Sequence, residues 1–325
     1  MTAARDLHRD AFDAELLAKI RGERGAVGGH RPFLIEDPGK VWLVLRGHID
    51  VYAIEMAGDR PASTGRSVMR LGAGAVLFGV PSLALPSGMA GDRVALRAVA
   101  AMGTELYEGR AEDVLDADFD IIAVDWIDSW VGHLSRAIAE GALPRQTAIL
   151  DAEPLVQVPE GTDLCAQVED TVWARVEAGG VRFLGEEHGV MPPGEPALPV
   201  TEWTWIRCET DARLACAYTP TLLFQGEIEP ALGAFHARVL PAIHDQIVAA
   251  REAEAARGRR ADSANREAFA GAVRALGGVL GGREAERAQA ETDARAGTLF
   301  AAFARVASAS GIAARMPPAR SDLRG

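Results

Sequence analysis

Cysteine is scarce. The 325 residues hold three, Cys165, Cys208 and Cys216. They form no CxxC pair, which argues against a disulfide framework and fits buried thiols in a reducing compartment. The strong enzyme signatures are missing as well: no GxxxxGK[ST], no GxGxxG after a strand, no HExxH and no GxSxG. Their absence removes the best-marked nucleotide-hydrolysing, dinucleotide-binding, metalloprotease and serine-hydrolase readings. The seven histidines form no HxH pair with a nearby Glu. His236 and His244 lie two helical turns apart, ~12 Å along an axis, too far for one metal. No metal or other cofactor is expected.

Long apolar runs are few. Leu71 to Gly91 carries no charge and approaches the ~20 residues of a spanning helix, but seven Gly and Pro residues interrupt it. No segment is expected to insert in a membrane. The first 22 residues scatter charges through what would be a signal core, so a cytoplasmic location is expected. Cationic charge is also in deficit: the net charge is −12 and the pI near 5.1, so no broad basic footprint for nucleic acid or anionic lipid exists.

What is present is ordinary globular composition, 48% hydrophobic and 25% charged, in a chain long enough for two domains. Lys40 to Gly79 is the most informative stretch. Alternating strands VWLVLRG and HIDVYAIE join at Arg46-Gly47, and a polar loop leads to SVMRL and the turn GAGAVLFG. RVALRAVAAMGTELYEG then reads as a hairpin turning at Met102-Gly103-Thr104. The following segment is helical, with Ile122, Trp126, Ile127, Trp130 and Leu134 on one face.

The second half starts over. VWARVEAGGVRFLG places Trp173 131 residues after Trp42 (173 − 42), with glycine and an aromatic following in the same order. LPVTEWTWIRC and ARLACAYTPTLL parallel RVALRAVA and TELYEGRAEDVL, and EEHGVMPPGEPALPVTEW parallels the segment before them. The expected divisions are an N-terminal helix and linker (1–30), a first roll with trailing helix (31–143), a second roll (144–222), a helical connector (223–312) interrupted near Pro241, and a tail (313–325) resembling a linker end. LGGVLGG at 276–282 reads as a helix break. The Ala-rich stretch 285–310 offers a face to a second copy, as a homodimer, or to other domains.

Binding a cyclic nucleotide needs backbone amides at a short helix N-terminus for the phosphate, an arginine to neutralise it, and a carboxylate to accept the ribose hydroxyl. Phe78-Gly79 and Arg93-Val94-Ala95 resemble the phosphate cassette of cyclic-nucleotide-binding domains, which marks Phe78, Gly79, Arg93 and Arg97 as candidate ligand-binding residues. Val80 stands where that family has its glutamate, and Val94 replaces a hydroxyl residue. Arg93 and Arg97 also fit a plainer reading, two outward-facing strand residues.

FLIEDPGKVWLVLRGHIDVYAIE, GRSVMRLGAGAVLFG, VDWIDSWVGHLSRAI and LFAAFARVASASGIAAR together resemble the N-terminal cytoplasmic region of the permease/ATP-binding subunit of NHLM-type bacteriocin export ABC transporters. That resemblance implies a degenerate cyclic-nucleotide-binding-like region, ahead of membrane helices and an ATPase in a longer parent. The expected fold is α+β: tandem cyclic-nucleotide-binding-like β-rolls with flanking helices and a C-terminal helical region. The expected function is a non-catalytic regulatory or cargo-docking region of an ATP-driven peptide exporter, with a leader peptide or transporter domains as partners. The alternative is a sensor of cyclic mono- or dinucleotides.

Overall fold

Left-handed glycines set the architecture. Gly47 (φ 84°) and Gly179 (φ 96°) turn the chain between strands that belong to different sheets, a conformation that costs glycine little. The computed structural model describes residues 17, 19–27, 32–86, 91–116, 121–139, 147–185, 189–280, 287, 290–295 and 297–298. Most of the expected N-terminal helix, the tail and much of the Ala-rich stretch lie outside the described residues. Two compact units divide the chain, Met1–Val248 and Ala249–Gly325.

The first roll comprises β1 (Gly22–Val27), β2 (Phe33–Leu34), β3 (Lys40–Arg46), β4 (His48–Ala57), β5 (Arg60–Pro61), β6 (Arg66–Gly72), β7 (Val76–Phe78), β8 (Leu83–Ala84), β9 (Arg93–Ala100) and β10 (Thr104–Arg110). Helices α1 (Ala111–Leu115) and α2 (Ile121–Ile138) follow. The second roll comprises β11 (Ala148–Ile149), β12 (Val156–Val158), β13 (Asp163–Cys165), β14 (Val172–Ala178), β15 (Val181–Phe183), β16 (Leu198–Val200), β17 (Trp205–Cys208) and β18 (Ala212–Tyr218). Helices α3 (Thr219–Gln225) and α4 (Ile228–Leu280) close it.

Sheet order demonstrates the duplication. The first roll pairs β1-β10-β3-β7 in one sheet and β2-β9-β4 in the other; the second pairs β12-β18-β14-β16 and β13-β17-β15. Trp42 lies opposite Leu77 and Glu108, and Trp173 opposite Pro199 and Ala217, so the two tryptophans hold one position in two copies. The chain is α+β, two β-rolls in tandem with flanking helices.

Several details differ from expectation. RGERGAVGGH, expected as linker, contains β1, so the first roll begins at Gly22 rather than at residue 31. β9 and β10 form no hairpin: they lie in opposite sheets, and the chain crosses between them at Ala101 to Gly103. Pro241 does not interrupt α4, because Leu240, Ala242 and Ile243 beside it are buried and their packing offsets one lost backbone bond. Residues 276–280, expected as a break, continue that helix.

One apolar cluster runs through both rolls and the start of α4, with Trp130, Trp173 and Phe235 fully buried. Each such side chain contributes roughly 1.5–3 kcal/mol relative to exposure. In the second unit, helical residues 249–269 are almost all exposed.

Candidate functional site

The expected cassette begins where β7 ends. Phe78 is buried opposite Val41, with its ring 6.2 Å from that of Trp130. Gly79 passes so close to the Asp37-Pro38 backbone that a Cβ would sit 1.7 Å from the Asp37 carbonyl oxygen. Its N–H donates to the Lys40 carbonyl at 3.1 Å, and the Val80 N–H to the Ile35 carbonyl at 2.7 Å. Both amides at the FG turn are thus consumed by backbone. Among the described residues of 79–92, the only regular element is β8, which pairs with Arg93 and Val94.

Strand β9 alternates. Val94, Leu96 and Ala98 enter the main core, which puts Arg93 and Arg97 on the opposite face, across from Met56 and Tyr52. Arg93 donates from Nη1 to the Gly58 carbonyl at 2.9 Å, and its Nε lies 3.5 Å from Oε2 of Glu36. Arg97 sits between Leu34 and Tyr52 in the ladder. The four residues therefore do not converge: Phe78 packs in the core, Gly79 permits a backbone crossing, and the arginines line an outer strand face.

Sequence reasoning missed Glu55. It lies opposite Val94, on the face of β4 that carries Ile49, Val51 and Ala53, and it is buried with Oε1 4.0 Å from Nε2 of His244. The signal was its place in the alternation of HIDVYAIE, at an apolar position.

In the second roll the register moves the cassette equivalent. β16 stands for β7 and β17 for β9, so the counterpart is the turn Thr201 to Thr204, and the described residues 189–197 precede β16. That turn closes on itself: Thr204 N donates to Thr201 Oγ1 at 3.0 Å, and Thr204 Oγ1 to the Pro199 carbonyl at 3.0 Å. Counted from the left-handed glycines, Ala100 and Cys208 are equivalent, so Trp205 stands for Arg97.

Beside this turn, residues of α2 and the second roll frame a cleft of about 480 Å³ that includes Asp128, His133, Arg136, Asp170, Thr171 and Trp203. The Arg136 guanidinium lies 5.1 Å from the Trp203 ring centre. Asp128 accepts from the Thr219 hydroxyl, which in turn accepts from Trp173 Nε1 at 2.8 Å. Burial pushes the Asp128 carboxyl up to about 6, against the lowering effect of hydroxyls from Thr219 and Thr171. His236, fully enclosed, accepts from Trp130 Nε1 at 2.9 Å, and burial lowers it to about 4.

A larger groove, about 720 Å³, opens at the edge of the first roll where β1 and β2 end its two sheets. Its floor is Phe33, Leu34, Trp42 and Leu106, with the Phe33 and Trp42 rings 5.6 Å apart. Arg21, Arg24, Lys40 and Arg110 line it together with Glu23 and Glu108. Among the described residues no three His, Cys, Asp or Glu side chains cluster as a metal site. No described helix is long and apolar enough to cross a membrane.

No family model matches the chain. Among curated proteins it is similar to the large tegument protein deneddylase of human herpesvirus 2 (strain HG52), 27% identical over 201 residues, 55% of this chain. The chain spans 6% of that protein's length. Among solved structures it is similar to the heme domain of CooA from Carboxydothermus hydrogenoformans, 14% identical over 42% of this chain and 88% of that one, with a TM-score of 0.27. cAMP-bound PfPKA-R (141–441) covers 74% of this chain and 84% of its own at 12% identity, TM-score 0.24. A cyclic nucleotide-binding domain from Methylobacillus flagellatus covers 43% and 89% at 14% identity, TM-score 0.24.

Proposed function

We propose that the chain is a non-catalytic regulatory and docking module built from two β-rolls that kept the fold and lost the nucleotide. One observation supports this above the rest: among the described residues, the amides that open each cassette and the cassette arginine Arg93 are already engaged within the protein. In the first roll Gly79 and Val80 spend their N–H groups on backbone and Arg93 faces Glu36 and Gly58. In the second roll a closed four-residue threonine turn stands in the same place.

The sequence resemblance to exporter N-terminal regions suggests the setting, the cytoplasmic face of an ATP-driven peptide exporter with membrane and ATPase domains in a longer parent. In this reading the chain itself catalyses nothing, and its partner is a leader peptide or a transporter domain. Calorimetric titration of the full chain with a nitrile-hydratase-type leader peptide tests it. Saturable heat is expected; a flat titration contradicts peptide docking.

A further inference from the structure

The two rolls differ at the edge where their sheets open. In the second roll that edge is laced by residues 147–153, TAILDAE. Ala148 and Ile149 pair in parallel with Leu164 and Cys165 of one sheet, and the Leu150 N–H donates to the Cys165 carbonyl at 2.8 Å. The Glu153 carbonyl then accepts from Cys216 N of the other sheet at 2.9 Å, while Asp151 accepts from the Tyr218 hydroxyl at 2.5 Å. A second acidic group reaches the same end of the roll, the Asp128 carboxylate at Thr219 and Thr171.

In the first roll β2 is the counterpart of β13, and among the described residues no strand pairs with its outer side. Instead the groove floored by Trp42 and Phe33 runs there. Register from the two tryptophans equates Val41 with Val172 and Gly109 with Tyr218, so Lys40 and Arg110 stand where the second roll has Thr171 and Thr219. Cations have replaced hydroxyls at the position that holds a carboxylate in the sister copy. Lys40 is paired at 2.6 Å with Glu108 and Arg110 at 2.7 Å with Glu112, all about half exposed. Exposed pairs of this kind are worth little, so a partner's carboxylate competes with Glu108 and Glu112 at small cost.

We propose that this groove docks an acidic, extended segment of a partner protein, which adds beside β2 as TAILDAE adds beside β13, with an apolar side chain over Trp42 and Phe33 and a carboxylate between Lys40 and Arg110. Strand addition supplies backbone bonds and the groove supplies side-chain selection. The inference rests on the docking reading and gives it a place and a chemistry.

The probe is a fluorescein-labelled TAILDAE peptide added to the full chain and followed by anisotropy. Saturable binding below about 1 mM is expected. The double variant Lys40→Gln/Arg110→Gln should melt like the parent, and it should bind about tenfold more weakly, as should the peptide with both carboxylates replaced by amides, TAILNAQ. No saturation, or equal affinity for TAILNAQ, overturns the assignment. So does sedimentation of the parent as a dimer that the double variant abolishes, because a second copy then fills the groove. A leader peptide that still binds the double variant with full affinity removes the groove and leaves the docking reading standing.

Discussion

Trp130 in α2 donates its indole N–H to Nε2 of His236 in α4 across 2.9 Å, with both side chains buried. The bond requires a neutral imidazole, and burial lowers the His236 pKa from 6.5 to about 4. Asp128, two residues before Trp130, shifts the other way, from 3.8 up to about 6.

These two groups make opposite contributions to stability. Above pH 6.5 His236 is neutral whether folded or not; as pH falls from 6.5 to 4 only the unfolded chain takes up that proton, so stability is lost, about 3 kcal/mol in all. For Asp128 the folded state binds the proton first, so stability is gained as pH falls from 6 to 3.8, by a similar amount. The two largely cancel between pH 4 and 6. Urea melts of Asp128→Asn should therefore lose stability steeply on acidification across that window, and His236→Gln should gain it, while the parent changes far less.

Gly79→Ala tests whether the FG turn is structural. The added methyl would meet the Asp37 carbonyl oxygen, a backbone atom that cannot swing aside. A loss of about 3 kcal/mol or more is expected by chemical denaturation. A fully stable variant contradicts the close crossing.

Trp173→Phe removes the donor to Thr219 and leaves a buried hydroxyl with one partner fewer. A loss of about 1–2 kcal/mol is expected in the urea midpoint, with an unchanged slope.

The thiols should be silent in the native protein. Burial pushes Cys208 up to about 11 and Cys216 up to about 12, and Cys165 is buried with its Sγ 3.1 Å from Thr147 Oγ1. A chromogenic disulfide reagent at pH 8 should titrate none of the three in native buffer and all three in guanidinium.

Much of the fold was legible because alternation and turn glycines are local signals. VWLVLRG, HIDVYAIE and their repeat at Trp173 are strands at matching places in matching sheets. β1 was hidden because GERGAV carries two glycines and no alternation; its strand state comes from β10, against whose backbone Gly22 fits where a Cβ would lie 2.1 Å from the Glu108 carbonyl oxygen. The cassette counterpart in the second roll was displaced because fourteen residues, 79–92, part β7 from β9, whereas four, 201–204, part β16 from β17. Only strand pairing exposes such a deletion. Arg93 and Arg97 were legible as residues of one strand face, but two of the three partners of Arg93, Glu36 and Gly58, lie far off in sequence, and only Asp92 is adjacent.

Calorimetric titration of the full chain distinguishes rolls that dock peptide from rolls that bind a cyclic nucleotide, with leader peptide in one run and cyclic AMP, cyclic GMP or cyclic di-GMP in others. Saturable heat with the peptide and none with millimolar nucleotide is the expected result. Saturable heat with a nucleotide and none with the peptide shows instead that a roll has kept its nucleotide and docks no peptide.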